Sequence, residues 1–153
     1  MKKISILHVE DNEGDVLLVK EAFENSIIVK EINNVYDGEK AIQFLNNILI
    51  DGGIGLPNLI ILDINLPKIN GHEVLAYIKN NEYLKWIPVV VLTTSSAKSD
   101  VDLSYSNFAN CFITKPVDID DFMDVSSLAS LKESHFVFEE PSKYFSPTFL
   151  KSL

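Results

Sequence analysis

Residues 59–67 read Leu59-Ile60-Ile61-Leu62-Asp63-Ile64-Asn65-Leu66-Pro67. The first four form an apolar run of strand length, and a run apolar on both faces is typical of a parallel strand covered by helices. The run ends in one carboxylate, Asp63, and a proline follows shortly after. Ligands of open parallel sheets bind beyond the carboxyl ends of the strands, so Asp63 is a candidate functional residue.

The rest of the chain alternates between strand and helix patterns. Apolar runs predict five strands, over 4–9, 31–36, 59–62, 89–92 and 110–114. Residues at helical spacing predict five helices, over 13–26, after Asp37 through Leu49, from Gly71 through Ile78, over 99–108 and over 118–133. This alternation predicts an α/β fold built from parallel βαβ units with right-handed crossovers.

The composition is that of a single soluble domain. The chain has 153 residues, of which 46% are apolar and 23% charged, and its formal net charge is −9. This charge argues against non-specific binding of nucleic acid and favours a cation or a basic protein surface as partner. Cys111 is the only cysteine, which excludes an intrachain disulfide. Glu10 and Asp11 end the first apolar run too early for a signal peptide, so a cytoplasmic protein without a membrane segment is expected.

Polar residues follow four of the predicted strands. They are Glu10 and Asp11 after the first strand, Asp63 after the third, Thr93 after the fourth and Lys115 after the fifth. The carboxyl ends of parallel strands share one edge of a sheet, so these residues are expected to converge on one pocket.

The chemistry that this set favours is phosphoryl transfer to a carboxylate. Acids held close together need a cation, and oxygen ligands suit Mg²⁺. The predicted metal site consists of Glu10, Asp11, Asp63 and the backbone carbonyl of Asn65. Asp63 is then the predicted nucleophile, while Lys115 and the Thr93 hydroxyl are expected to contact oxygens of the phosphoryl group.

The motifs around these residues resemble the receiver domain of two-component response regulators. They are Val9-Glu10-Asp11-Asn12, Leu62-Asp63-Ile64-Asn65-Leu66-Pro67, Ile69-Asn70-Gly71, Leu92-Thr93-Thr94-Ser95 and Thr114-Lys115-Pro116. Each motif is weak alone, but five in the right order and spacing are specific. The stretch 87–95 and Asn110-Cys111-Phe112 are most similar to single-domain regulators associated with bacterial phytochromes. The resemblance assigns residues 1–134 to a receiver domain and leaves 135–153 as an aromatic extension, with no separate output domain.

The resemblance implies a flavodoxin-like, doubly wound (βα)5 fold with strand order 2-1-3-4-5. It implies that a sensor histidine kinase or a phosphotransfer protein donates a phosphoryl group to Asp63, in a signalling switch that promotes only its own phosphorylation and dephosphorylation. Thr93 and Phe112 are the implied switch residues; Phe112 stands where the family often has tyrosine, which removes a hydroxyl group. Output is then expected through a protein surface near Phe112, with a homodimer through the last helices and the fifth strand as one form, and without nucleic acid.

Two other functions share part of this pattern. Phosphatases of the haloacid dehalogenase class also use an aspartate nucleophile, Mg²⁺, a hydroxyl residue and a lysine. Their nucleophile follows the first strand, however, whereas here the acidic pair comes first, and no cap domain is evident. The second alternative is a receiver-like scaffold without phosphorylation, which the complete set of Asp11, Asp63, Thr93 and Lys115 argues against.

Several of these residues also have plain structural interpretations. Glu10 and Asp11 are able to cap the helix that begins near Glu13. His8 lies within the first predicted strand and is more typical of a core histidine than of a metal ligand. The glycine-rich segment 52–55 lacks the Lys-Ser/Thr of a phosphate-binding loop and precedes a strand, so it is interpreted as a flexible connection.

Overall fold

The computed structural model of the protein describes residues 3–94, 102, 103, 106, 109 and 111–115. Its elements are β1 (Ile4–Val9), α1 (Glu13–Phe23), β2 (Val29–Val35), α2 (Gly38–Ile50), β3 (Leu59–Leu62), α3 (Gly71–Asn80), β4 (Val89–Thr93) and β5 (Cys111–Thr114). The predicted helix over 118–133 and the aromatic segment 135–153 lie outside the described residues, and of the predicted helix over 99–108 only 102, 103 and 106 are described, all helical. Among the described residues, no helix has the length and apolar character needed to cross a bilayer.

The five strands form one parallel sheet in the order β2-β1-β3-β4-β5. The predicted fold class and strand order are therefore confirmed. β1 and β3 are neighbours at the centre, and Val9 is in register with Leu62. The Asp63 N–H continues this pairing by donating to the Val9 carbonyl at 3.0 Å. Glu10 and Asp63 consequently leave the sheet side by side at its carboxyl edge, which is where the strand order reverses.

Helices cover both faces of the sheet and bury two apolar clusters. On one face, alternate residues of β1, β3 and β4 pack against α2 and α3 through Ala41, Leu45, Val74, Leu75 and Ile78. On the other face, Ile4, Ile6, Leu59, Ile61, Val90 and Leu92 pack with Val19 and Phe23 of α1. All four residues of β3 are buried, as the doubly apolar run predicts. Loss of an apolar contact on either face of β3 is therefore expected to destabilise the sheet beneath the site.

Two local predictions are wrong. The first helix ends at Phe23 and not at 26, because the Ser26 N–H donates to the Phe23 carbonyl and the Ser26 hydroxyl accepts from Ile28 and Val29. The second strand begins at Val29, two residues before the predicted start at 31, with a register shift opposite Ile4 and Ser5.

The alternative interpretation of Glu10 and Asp11 as caps of α1 does not hold. Neither Glu10 nor Asp11 caps this helix, because Asn12 takes that position and its side chain accepts from the Asp15 N–H. Both acids are thereby available for another role. The second helix, in contrast, is capped by Asp37 as predicted.

The glycine-rich segment before β3 is a connection, as predicted. Gly52, Gly53 and Gly55 all have positive φ, and no atom comes within 4 Å of a Cβ built on any of them. These glycines serve the backbone path and do not make room for a neighbour.

Candidate functional site

Three carboxylates meet at the carboxyl edge of the sheet. Glu10 and Asp11 follow β1, and Asp63 follows β3. Glu10 is fully buried and Asp63 is 6% exposed, whereas Asp11 is exposed. One oxygen from each lies within 4.8 Å of the others. Hard oxygen ligands at this separation fit a divalent cation such as Mg²⁺, and the exposed Asp11 leaves an open side for water.

A lysine that follows the edge strand β5 completes this cluster. Lys115 follows β5, and its Nζ donates to Glu10 Oε1 at 2.5 Å, to Asp15 Oδ2 at 2.8 Å and to Asp63 Oδ2 at 3.3 Å. Its side chain is only 10% exposed. Charges this far from water need partners, and these contacts provide them. The lysine therefore lies directly against the predicted nucleophile.

Asp15 is the member of the cluster that the sequence did not reveal. It lies in the first turn of α1. An acid in the first turn is usually explained by the helix dipole, so the residue carries no distinct motif. The available signal was its place in the first turn of a helix that starts at the same edge of the sheet as Glu10 and Asp11.

Crowding of charge shifts the pKa values of the buried groups. Burial and a hydrogen bond with Asp63 raise the pKa of Glu10 above its ordinary value, against the opposing effect of Lys115. Burial lowers the pKa of Lys115, but the hydrogen bonds that it donates to Asp15 and Glu10 and the charge of Asp63 outweigh this effect, so the net shift of the pKa is upward. Lys115 thus stays protonated, and Glu10 binds a proton more readily than an exposed glutamate does.

His8 lies in β1, two residues before Glu10. It is buried, as predicted for a core histidine, and neither ring nitrogen has a hydrogen-bond partner among the described residues. Burial first and the charge of Lys115 second lower its pKa to about 4. The imidazole is consequently neutral near pH 7 and does not add a positive charge to the site.

The loop after β3 holds the Asp63 carboxylate in a defined orientation. The Asn65 N–H donates to Asp63 Oδ1 at 3.2 Å, and the Gly71 N–H donates to the Ile64 carbonyl at 2.8 Å. A Cβ on Gly71 would come 2.2 Å from the Asp63 carbonyl oxygen. Lys68, with φ of 66°, reaches from this loop to the Asp37 carboxylate at 3.7 Å. The absence of a side chain at Gly71 is what lets α3 begin so close to the site.

Four predicted site residues are brought together by the described structure: Glu10, Asp11, Asp63 and Lys115. Asn65 lies next to them through its N–H. Thr93 and Phe112 are placed by their backbones only: Thr93 is in register with Thr114 and Phe112 with Val91. The side chains of Thr93 and Phe112 lie outside the described part of the structure, so their predicted roles stay predictions.

Comparison with known proteins decides the family. The sequence profile of the response regulator receiver domain matches residues 6–126. The chain belongs to the response regulator receiver family. Like other members of this family, the chain is a signalling switch of two-component systems. Receiver domains of this kind interact with histidine kinases or phosphotransfer proteins.

Two individual relatives are similar to most of the chain. The chain is 47% identical over 116 residues to response regulator Rcp1 of Synechocystis sp. (strain ATCC 27184 / PCC 6803 / Kazusa), covering 76% of this chain and 79% of Rcp1. It is 43% identical over 116 residues to the probable methanogenesis regulatory protein FilR2 of Methanothrix harundinacea (strain 6Ac), covering 76% of this chain and 74% of FilR2. The family resemblance predicted from the motifs is thus confirmed.

Solved structures agree with the sequence comparison. The phosphorylated cyanobacterial phytochrome response regulator RcpA superimposes with a TM-score of 0.70 at 38% identity, covering 88% of this chain and 94% of RcpA. The Mn²⁺-bound form of Rcp1 superimposes with a TM-score of 0.69 at 44% identity, covering 86% of this chain and 92% of that one. Regulators similar to this protein thus occur with phosphate and with a divalent metal.

Proposed function

We propose that Asp63 is the phosphoacceptor of this receiver domain and that Glu10, Asp11, Asp63 and the backbone carbonyl of Asn65 hold Mg²⁺ beside it. The observation that carries the proposal is the convergence of Lys115 and three carboxylates on one edge of the sheet. A histidine kinase or a phosphotransfer protein is the donor. The net charge of −9 supports protein partners for this domain rather than nucleic acid, and a cytoplasmic setting is consistent with such donors.

The reaction forms one bond and breaks one. A carboxylate oxygen of Asp63 attacks phosphorus, while the bond between phosphorus and the donor breaks and its electron pair leaves with the donor. A phosphohistidine that carries a proton on its other ring nitrogen thereby becomes neutral imidazole, and acetyl phosphate becomes acetate. Mg²⁺, when bound, neutralises charge on the phosphoryl oxygens.

The residues of this chain contribute mainly position and charge. The Asn65 N–H fixes one oxygen of Asp63, and the Lys115 ammonium lies 3.3 Å from the other. Because Lys115 stays protonated, it offers a fixed positive charge to an oxygen of the arriving phosphoryl group. Low exposure of Asp63 also limits the access of water to the product.

Thr93 and Phe112 are the proposed switch residues. Thr93 lies at the end of β4, opposite the residue that precedes Lys115, which supports a role for its hydroxyl toward a phosphoryl oxygen. Phe112 lies in β5, which is an edge strand of the described sheet. Phosphorylation is proposed to change the surface around Phe112, where another protein or a second copy of the chain binds.

The test is direct phosphorylation with acetyl phosphate and Mg²⁺, followed by intact-protein mass spectrometry. The wild type is expected to gain one phosphoryl group, and the Asp63→Asn variant none. Asp51→Asn is the matched control, because Asp51 is an exposed acid at the opposite edge of the sheet. The proposal would be contradicted if the wild type gained no phosphoryl group, or if the Asp63→Asn variant still gained one.

A further inference from the structure

The ammonium group of Lys115 has all of its donors occupied. A lysine offers three N–H donors, and here they serve Glu10, Asp15 and Asp63 at 2.5, 2.8 and 3.3 Å. A phosphoryl oxygen can gain a hydrogen bond from Lys115 only if one of these acceptors gives way. Asp63 makes the longest of the three contacts, and its oxygen loses charge when it becomes bonded to phosphorus. The contact with Asp63 is therefore the one expected to be replaced by a phosphoryl oxygen.

Asp15 differs from the other two acceptors in one respect. Glu10 and Asp63 belong to the carboxylate set that fits a metal, whereas Asp15 does not. Neither metal binding nor phosphorylation of Asp63 uses the Asp15 carboxylate. Its contact with Lys115 is thus the one contact of the ammonium group that no step of the proposed reaction consumes.

The backbone around Asp15 is fixed from both sides. Its own N–H donates to the Asn12 side chain at 3.0 Å, and the Asn12 N–H points to Glu10 Oε2 at 3.4 Å. The next residue, Val16, is buried, so the first turn of α1 packs on the sheet. Asp15 is 31% exposed, so its contact with Lys115 is less screened than a surface ion pair.

We propose that Asp15 is a positioning residue for phosphoryl transfer, because its carboxylate anchors the Lys115 ammonium between α1 and β5 and so directs a donor at the phosphoryl group. This inference rests on the proposed function of Asp63. It assigns to α1 a role in the chemistry, through a side chain that touches neither the phosphoryl group nor the metal.

A simpler explanation is that Asp15 only stabilises the start of α1. Acids in a first turn interact favourably with the helix dipole whatever else they contact. Glu13 lies in the same turn, is exposed, and has no ion pair with a described lysine. Glu13→Gln therefore removes the same charge from the same turn without removing the contact to Lys115, which makes it the matched control.

The first experiment compares phosphorylation rates with acetyl phosphate in excess Mg²⁺. Asp15→Asn is nearly isosteric and is expected to slow phosphorylation roughly fivefold, on the scale of one partly exposed charged hydrogen bond. Hydrolysis of the phosphorylated form is expected to slow as well, because Lys115 serves both reactions. Asp15→Glu is expected to restore part of the rate, and Glu13→Gln to leave it unchanged. The affinity for Mg²⁺ is expected to stay the same in Asp15→Asn, since Asp15 lies outside the metal set.

The second experiment asks whether Asp15 acts through Lys115. In a Lys115→Met background, which is expected to be phosphorylated slowly, Asp15→Asn is expected to have no further effect. An equal loss in both backgrounds would overturn the inference, and so would a wild-type rate in Asp15→Asn. Both results leave the proposed function standing, provided that wild type forms the adduct and Asp63→Asn does not. If the wild type forms no phosphoryl adduct, the proposed function itself is overturned.

Discussion

The two edges of the parallel sheet carry different kinds of side chain. At the carboxyl edge, Glu10 and Asp63 are buried and share Lys115. At the amino edge, the loops that lead into β2, β3 and β4 expose large apolar side chains, namely Ile27, Ile54 and Tyr83, and Ile54 is 90% exposed. One edge therefore buries charge while the other exposes apolar surface, although the same strands connect them.

This difference shows that the unfavourable burial of charge is confined to the carboxyl edge in the described part of the structure. Burying charged groups is unfavourable unless they are paired, and the acids of the carboxyl edge outnumber their lysine. The apolar clusters on both faces of the sheet supply the stability that tolerates this edge. Substitutions of the same type are thus expected to have larger effects at the carboxyl edge than at the amino edge, and matched pairs test this.

One of the two largest effects is expected at a pair of glycines. Gly71→Ala places a Cβ 2.2 Å from the Asp63 carbonyl oxygen, so the backbone must move and stability is expected to fall by about 3 kcal/mol. Gly53→Ala, at the amino edge, meets no atom within 4 Å and is expected to cost only about 1 kcal/mol, from its φ of 80°. Chemical denaturation measures both. Equal losses would mean that the close approach of Gly71 to the site is not what limits this position.

The next effect concerns pH and His8. The folded-state pKa of His8 is about 4, below the ordinary histidine pKa of 6.5, so the unfolded chain binds the proton more readily. The contribution of His8 to stability is therefore complete above pH 6.5 and is lost as the pH falls toward 4, by up to about 3 kcal/mol. His8→Leu removes this loss. The measurement is the free energy of unfolding of both proteins at several pH values in this range; a constant difference between them would contradict the prediction.

The smallest effect separates two exposed aspartates. Asp11→Asn removes one carboxylate from the metal set and is expected to weaken Mg²⁺ binding roughly tenfold, with little change in stability. Asp51→Asn removes the same charge at the amino edge and is expected to leave the affinity unchanged. Calorimetric titration with Mg²⁺ compares the two variants with wild type. A similar loss in both would indicate that overall charge, and not the cluster, attracts the metal.

Much of this molecule was predictable from short patterns. The doubly apolar runs at 59–62 and 89–92 predicted buried parallel strands, and both form. The contact of Lys115 with Glu10, 105 residues earlier, was also predictable, because parallel strands that end at one edge bring their following residues together. The end of α1 and the start of β2 were not, since the Ser26 side chain and a register shift decide them.

The sequence by itself determined the family, the order of elements and most members of the site, because strand periodicity and motif spacing are local and additive along the chain. Only the tertiary structure decided that Asp15 holds Lys115, that His8 is buried without a partner among the described residues and that Asn12 takes the cap in place of the acids. These facts depend on distances across the sheet of a few ångström. A hydrogen bond is made or lost over such distances, and no pattern of residues along the chain specifies them.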